Sequence, residues 1–219
     1  CPSCGSSTLR GARFCGECGK PAPPTHIAAG PPPHLAALLP HWRTSLEGER
    51  KLVTVMFADI KGSLEMLSAR DPEEAVALLD PVIGHMKAAV HRYEGTVNQI
   101  MGDGIMALFG APAAHEDHAA RACYAALAMQ ESIRALARDL QRNRGPSVEI
   151  RVGLNSGVVV IRAIDNDLHM DLSAIGETTH LAARMEEMTP PGSIWLTRAT
   201  LTLAEPLVET KPLGARAVR

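Results

Sequence analysis

Aromatic residues are scarce in this chain. Three Phe, two Trp and two Tyr amount to 3% of 219 residues, so any core must be built from aliphatic side chains. No apolar run approaches the roughly 20 residues that a membrane-spanning helix needs, and no membrane segment is expected. Neither sign of charge dominates. The 22 Lys and Arg against 24 Asp and Glu leave a net −2. That excludes the global basic footprint of a nucleic-acid binder, so nucleic acid is not an expected partner. No secretory signal pattern opens the chain, and the expected location is cytoplasmic. The first residue is Cys rather than Met, which reads as a processed or excerpted chain.

Cysteine is also sparse outside one segment. Of five cysteines, four form the pairs Cys1-Pro2-Ser3-Cys4 and Cys15-Gly16-Glu17-Cys18. Paired C-x-x-C knuckles suit a tetrahedral structural Zn²⁺ with no open coordination position. The rival, a disulfide framework, needs an oxidising compartment, and nothing else in the sequence suggests one. Cys123 falls inside a helical pattern and reads as a core residue.

The length supports one substantial core with a small appendage. Residues 1–20 read as a zinc ribbon, and 21–47 as a Pro-rich linker with a short helix near His34–Leu46. The main domain covers 48–219. Within it the pattern predicts a strand at 51–59 and helices at 63–69 and 72–93, with Pro81 kinking the second. A hairpin around Asp103 follows, then a helix over 113–143 ended by Gly145-Pro146. A strand region at 148–161, interrupted at Gly153 and Gly157, precedes an extended piece at 172–175. A helix at 178–188, a strand at 193–197 and a final strand cut short in 208–219 complete the order. Alternating elements with an antiparallel hairpin predict an α+β sandwich with helices on one sheet face.

Two aspartates carry the chemistry. Asp59 ends the β-branched, apolar run Leu52-Val53-Thr54-Val55-Met56-Phe57-Ala58, which reads as a buried strand. Asp103 sits where the chain is expected to fold back at Asp103-Gly104, a strong hairpin signal. Two carboxylates facing each other beside a sheet suit Mg²⁺, a hard cation that also keeps phosphate oxygens as partners. The plainer alternative is that both aspartates cap turns. His115-Glu116-Asp117-His118 has histidines three apart, not four, and opens a helix where acids are favoured. It reads as structural.

Four segments, in order, resemble the class III adenylate and guanylate cyclases. They are Gly48-Glu49-Arg50-Lys51 running on to Phe57-Ala58-Asp59-Ile60-Lys61-Gly62-Ser63, then Met101-Gly102-Asp103-Gly104-Ile105-Met106-Ala107-Leu108-Phe109-Gly110. Arg151-Val152-Gly153-Leu154-Asn155-Ser156-Gly157 and Gly176-Glu177-Thr178-Thr179-His180-Leu181-Ala182-Ala183-Arg184-Met185 follow. The resemblance implies a ferredoxin-like cyclase sandwich that converts ATP, or less favoured GTP, to a 3′,5′-cyclic nucleotide and pyrophosphate. It implies that Asp59, Asp103 and the Ile60 carbonyl hold two Mg²⁺ or Mn²⁺ per site. The loop Ile60-Lys61-Gly62-Ser63 would offer backbone N–H groups to phosphate, and Arg184 would stabilise charge on the transferring phosphate. The family's site forms between two cyclase domains, so a homodimer is implied, with Arg184 supplied by the partner. An N-terminal zinc ribbon fits bacterial members that continue into an ATPase and helical-repeat region, which would lie beyond this chain.

Three positions depart from the family pattern. The base-reading lysine is replaced by Gln99, and the second base reader, often Asp, by Ser173. The ribose-orienting Asn is replaced by His180, which shares a helix face with Arg184 at i, i+4 spacing. Gln99 and Ser173 can each donate or accept, so either purine fits. Ser173 resembles a subclass that uses ATP. The alternative is a degenerate cyclase-homology module that binds nucleotide, dimerises or regulates a larger ATPase protein.

Overall fold

The computed structural model describes residues 49–63, 66, 68, 71–166, 169–205 and 207–216, with backbone alone at 162–175. The chain divides into two units, Cys1–Leu39 and Pro40–Arg219. The four-cysteine pattern, the Pro-rich linker and its short helix lie outside the described residues.

The second unit is a six-stranded sheet with four described helices. Its elements are β1 (Glu49–Ile60), α1 (Pro72–Arg92), β2 (Thr96–Met101), β3 (Gly104–Phe109), α2 (His118–Arg142), β4 (Ile150–Asn166), β5 (His169–Ile175), α3 (Glu177–Met188), β6 (Ile194–Leu196) and α4 (Arg198–Ala204). The strand order is β2-β3-β1-β4-β5, with β6 parallel to the first part of β4. Strand β1 is central, antiparallel to β3 on one side and β4 on the other.

Strand alternation divides β1 into two faces. Met56, Ala58 and Ile60 join a large core with Met86 and Val90 of α1 and Met129 and Ile133 of α2. Val53 and Val55 face the other way and pack with Met106, Leu108 and Ala182 of α3. Helices α1, α2 and α4 therefore share a face, while α3 covers the opposite one. The expected one-sided arrangement does not hold for α3.

That difference explains the strand glycines. β4 is unbroken through Gly153 and Gly157 because α3 lies against them. A Cβ at Gly153 would come within 2.2 Å of Glu186 N, and one at Gly157 within 2.6 Å of Thr178 Oγ1. Asn155 Nδ2 donates to Thr178 O at 2.9 Å, and Thr178 Oγ1 donates to Val158 O at 2.9 Å. Together these contacts fix the first turn of α3.

Other boundaries shift for local reasons. Helix α1 runs through Pro81. Helix α2 begins at His118 rather than 113, after a turn in which His118 N donates to His115 O. The hairpin turn is Gly102-Asp103, with Met101 opposite Gly104 and Gly102 at φ +66°. The sequence pattern puts it one residue later, at Asp103-Gly104. Described residues of the terminal segment, 207–216, form no strand. Among the described residues no helix is long and apolar enough to cross a membrane.

Candidate active site

Register brings the two aspartates together. Asp59 pairs with Gly104 across β1 and β3, directly beside Asp103 in the turn. The approach is close, since a Cβ on Gly104 would lie 2.8 Å from Asp59 Oδ1 and 2.7 Å from Ala58 O. Ser63 Oγ donates to Asp103 Oδ2 and so ties the loop after β1 to the hairpin. Gly62 takes φ +71°, and Met66 N donates to Gly62 O at 3.0 Å as the chain turns into a helix. Lys61 N–H donates to Glu149 O at 2.9 Å, so this loop amide is committed and does not serve as an anion donor.

Burial, and next the charge of Asp103, push the Asp59 carboxyl above its ordinary range, against the pull of Arg151 and the Ile60 N–H. A carboxylate whose charged form is disfavoured by burial and by a second carboxylate beside it calls for a cation. In this structure that role falls to Arg151, whose Nη2 donates to Asp59 Oδ2 at 3.2 Å. Hard oxygen donors with a guanidinium already drawn to them fit a divalent ion. Among the described residues no group of three or more His, Cys, Asp or Glu could hold a metal.

The adenylate and guanylate cyclase catalytic domain family matches residues 47–219. The chain belongs to this family. Adenylate cyclase 1 of Rhizobium meliloti (strain 1021) is 32% identical over 168 residues, covering 75% of this chain and 25% of that protein. An adenylate cyclase of Anabaena cylindrica is 27% identical over 141 residues, covering 63% and 27%. The chain spans about a quarter of the length of these curated relatives. Among solved structures, the adenylyl cyclase CyaB of P. aeruginosa superposes with a TM-score of 0.73 at 30% identity, covering 79% of this chain and 90% of that one. The guanylyl cyclase Cya2 gives 0.71 at 29%, covering 78% and 90%. The fold is therefore the class III cyclase fold.

The other expected cyclase residues, Gln99, Ser173, His180 and Arg184, lie on β2, β5 and α3. Gln99 is exposed on β2 and opposes Met106 after a bulge at Asn98. Met106 in turn opposes Phe57, so Gln99 lies on the sheet face of Asp59, as alternation predicts. Ser173 lies on β5 opposite Arg162 of β4. His180 is exposed on α3. The Arg184 side chain is 51% exposed, and its Nη1 contacts Glu187 Oε2 at 2.6 Å, not either aspartate.

Sequence reasoning missed two charged residues at the site. Arg151 opposes Asp59 across β1 and β4, and its Nε lies in ion-pair contact with Glu186 Oε1. Neither of these two atoms has an aligned hydrogen bond, so charge holds them together. Burial lifts Glu186 to about 7 despite Arg151, with Asp59 and Glu187 adding to the rise. Arg151 begins one of the four family segments, but only the register of β4 places it against Asp59.

Proposed function

We propose that this domain is a nucleotidyl cyclase, converting ATP, or GTP as the less favoured substrate, to a 3′,5′-cyclic nucleotide and pyrophosphate. The observation that carries the reading is the meeting of Asp59 and Asp103 beside the Gly62-Ser63 turn, on the sheet face that also holds Gln99. Asp59, Asp103 and the Ile60 carbonyl are the groups that would hold two Mg²⁺ or Mn²⁺. When bound, such ions supply charge at the attacking and leaving oxygens of an in-line displacement. The family as a whole works with divalent ions, and the guanylate cyclase domain of RhGC from Catenaria anguillulae, 29% identical with a TM-score of 0.68, was solved with GTP.

In the reaction the ribose 3′-oxygen bonds to the α-phosphorus. The bond from that phosphorus to the β-phosphate bridging oxygen breaks, and the hydroxyl proton leaves to solvent. Gly62 and Ser63 N–H groups, at the start of a helical turn, face the triphosphate. Gln99 and Ser173 read the purine edge. His180 orients the ribose, and Arg184 steadies charge on the transferring phosphate. His180 and Arg184 lie together on an exposed face of α3, and Arg184 is held by Glu187. This supports a homodimer in which each chain lends them to its partner's aspartates. The zinc ribbon at Cys1, Cys4, Cys15 and Cys18 and a C-terminal ATPase with helical repeats belong to the same reading of the longer protein.

The second reading, a module without turnover, is favoured by Gln99 and His180 standing where the family has Lys and Asn. The test is incubation with ATP or GTP, each with Mg²⁺ and Mn²⁺, with Asp59→Ala as control and products separated by chromatography. Cyclic product that vanishes in the control supports the enzyme and names its base. No product from a dimer of measured mass supports the module.

A further inference from the structure

The proposed mechanism gives no task to Glu186, yet it is among the most constrained charged groups in the fold. It is 7% exposed. A Cβ on Gly153 would lie 2.6 Å from its Cα, so backbone packing of α3 on β4 fixes where its side chain starts. It lies two positions after Arg184, which puts it on the sheet-facing side of α3 while Arg184 faces outward. Its carboxylate meets Arg151 Nε. The same guanidinium donates from Nη2 to Asp59 Oδ2 at 3.2 Å and from Nη1 to Glu187 O at 3.3 Å. One partly buried cation is thus divided between a buried glutamate and a candidate metal ligand.

A guanidinium and a divalent ion compete for the same carboxylate. The stronger the hold of Arg151 on Asp59, the more a metal must displace. An anion on the far side of the guanidinium relieves that competition. It also gives Arg151 a place to stay when Asp59 turns to a metal. We propose that Glu186 is a positioning residue which, through Arg151, sets the divalent-metal affinity of the Asp59–Asp103 pair. The inference rests on the reading that these aspartates hold metal.

The two partners then have opposite signs, which a merely structural role would not produce. Mn²⁺ binding to the full chain is measured by calorimetry without nucleotide, near pH 8.5, where Glu186 is ionised. Glu186→Gln keeps the shape and removes the charge. It is expected to raise the Mn²⁺ dissociation constant on the order of fivefold to tenfold, as for one unit charge in a partly buried site. Arg151→Gln removes the competitor and is expected to lower the constant. In the double variant the effect of Glu186→Gln should shrink to less than about twofold, because its route is gone. Glu186→Asp, which shortens the carboxylate's reach, gives a smaller shift of the same sign and serves if the amide variant does not fold. Shifts of the same sign for Glu186→Gln and Arg151→Gln, or an undiminished effect in the double variant, would overturn the proposal. Asp59→Ala separates it from its premise. Wild-type Mn²⁺ binding that survives Asp59→Ala removes the metal reading itself and this inference with it, whereas no binding to the nucleotide-free chain overturns this inference and leaves the metal reading to the product assay.

Discussion

At Asp59 a single carboxylate is pulled three ways. Burial and Asp103 favour its proton, Arg151 favours its charge, and a divalent ion would settle the contest. Asp59→Asn keeps the size and one acceptor but removes the charge. It is expected to lower turnover by at least about a hundredfold, comparable to losing one preorganised catalytic group, and to abolish the thermal shift that Mn²⁺ gives the wild type. Melting with and without Mn²⁺ checks this independently of product assays. His118 gives a residue-scale test remote from the site. It is 4% exposed, with Nδ1 2.8 Å from Thr54 Oγ1. Burial lowers its affinity for a proton, with Asp117 opposing and His115 assisting. A histidine depressed in the folded state loses stabilising effect as pH falls through its unfolded value of about 6.5, because the unfolded chain takes up the proton first. Asp59 and Glu186 titrate with the opposite sign, so the useful quantity is a difference. The stability advantage of wild type over His118→Asn should shrink between about pH 7 and 5, read from denaturant melts at each pH.

At the scale of elements, α3 decides what could be read in advance. The run Leu52–Ala58 and the pair of strands around Asp103 were legible because an apolar, β-branched pattern and a Gly-Asp-Gly turn are local signals. Asp59 and Asp103 could be named for the same reason. In the sequence alone Gly153 and Gly157 read as breaks, since glycine weakens an isolated strand. Their cause, the approach of α3 backbone, is tertiary and leaves no local trace. Arg151 and Glu186 likewise carry no local signal. They are 35 positions apart, and only the β1–β4 register and the seat of α3 bring both to Asp59. α4, only seven residues long, is too short for a periodic signal. The two glycines also make a graded prediction. At Gly153 the added methyl meets backbone, which cannot move aside, so Gly153→Ala should cost about 3 kcal/mol or more. At Gly157 it meets a threonine hydroxyl that can rotate away from Val158 O, so Gly157→Ala should cost about 1 kcal/mol, the worth of one hydrogen bond. Urea denaturation of the two variants ranks them. Equal costs would mean that α3 can lift from the sheet at Gly153.

At the scale of the whole molecule, one chain holds both halves of the proposed chemistry without joining them. Asp59 and Asp103 meet at the end of β1. Arg184 is half exposed and bound to Glu187 on α3. If two copies complete each other's sites, the halves can be carried on different chains. An Asp59→Ala chain keeps its arginine, and an Arg184→Ala chain keeps its aspartates. Each alone should be inactive to within the loss expected for its group, about 3 kcal/mol of barrier or more. Mixed and allowed to exchange, they form hybrid dimers in which one site is intact and the other lacks both groups. Random exchange makes about half the dimers hybrid, so recovered activity should approach roughly one quarter of wild type. Recovery that rises with mixing time and saturates there supports a site shared across a two-fold axis. If the mixture stays as inactive as its components while energy transfer between differently labelled chains shows exchange, Arg184 acts within its own chain or not at all. Its exposure on α3 would then be that of a surface ion pair.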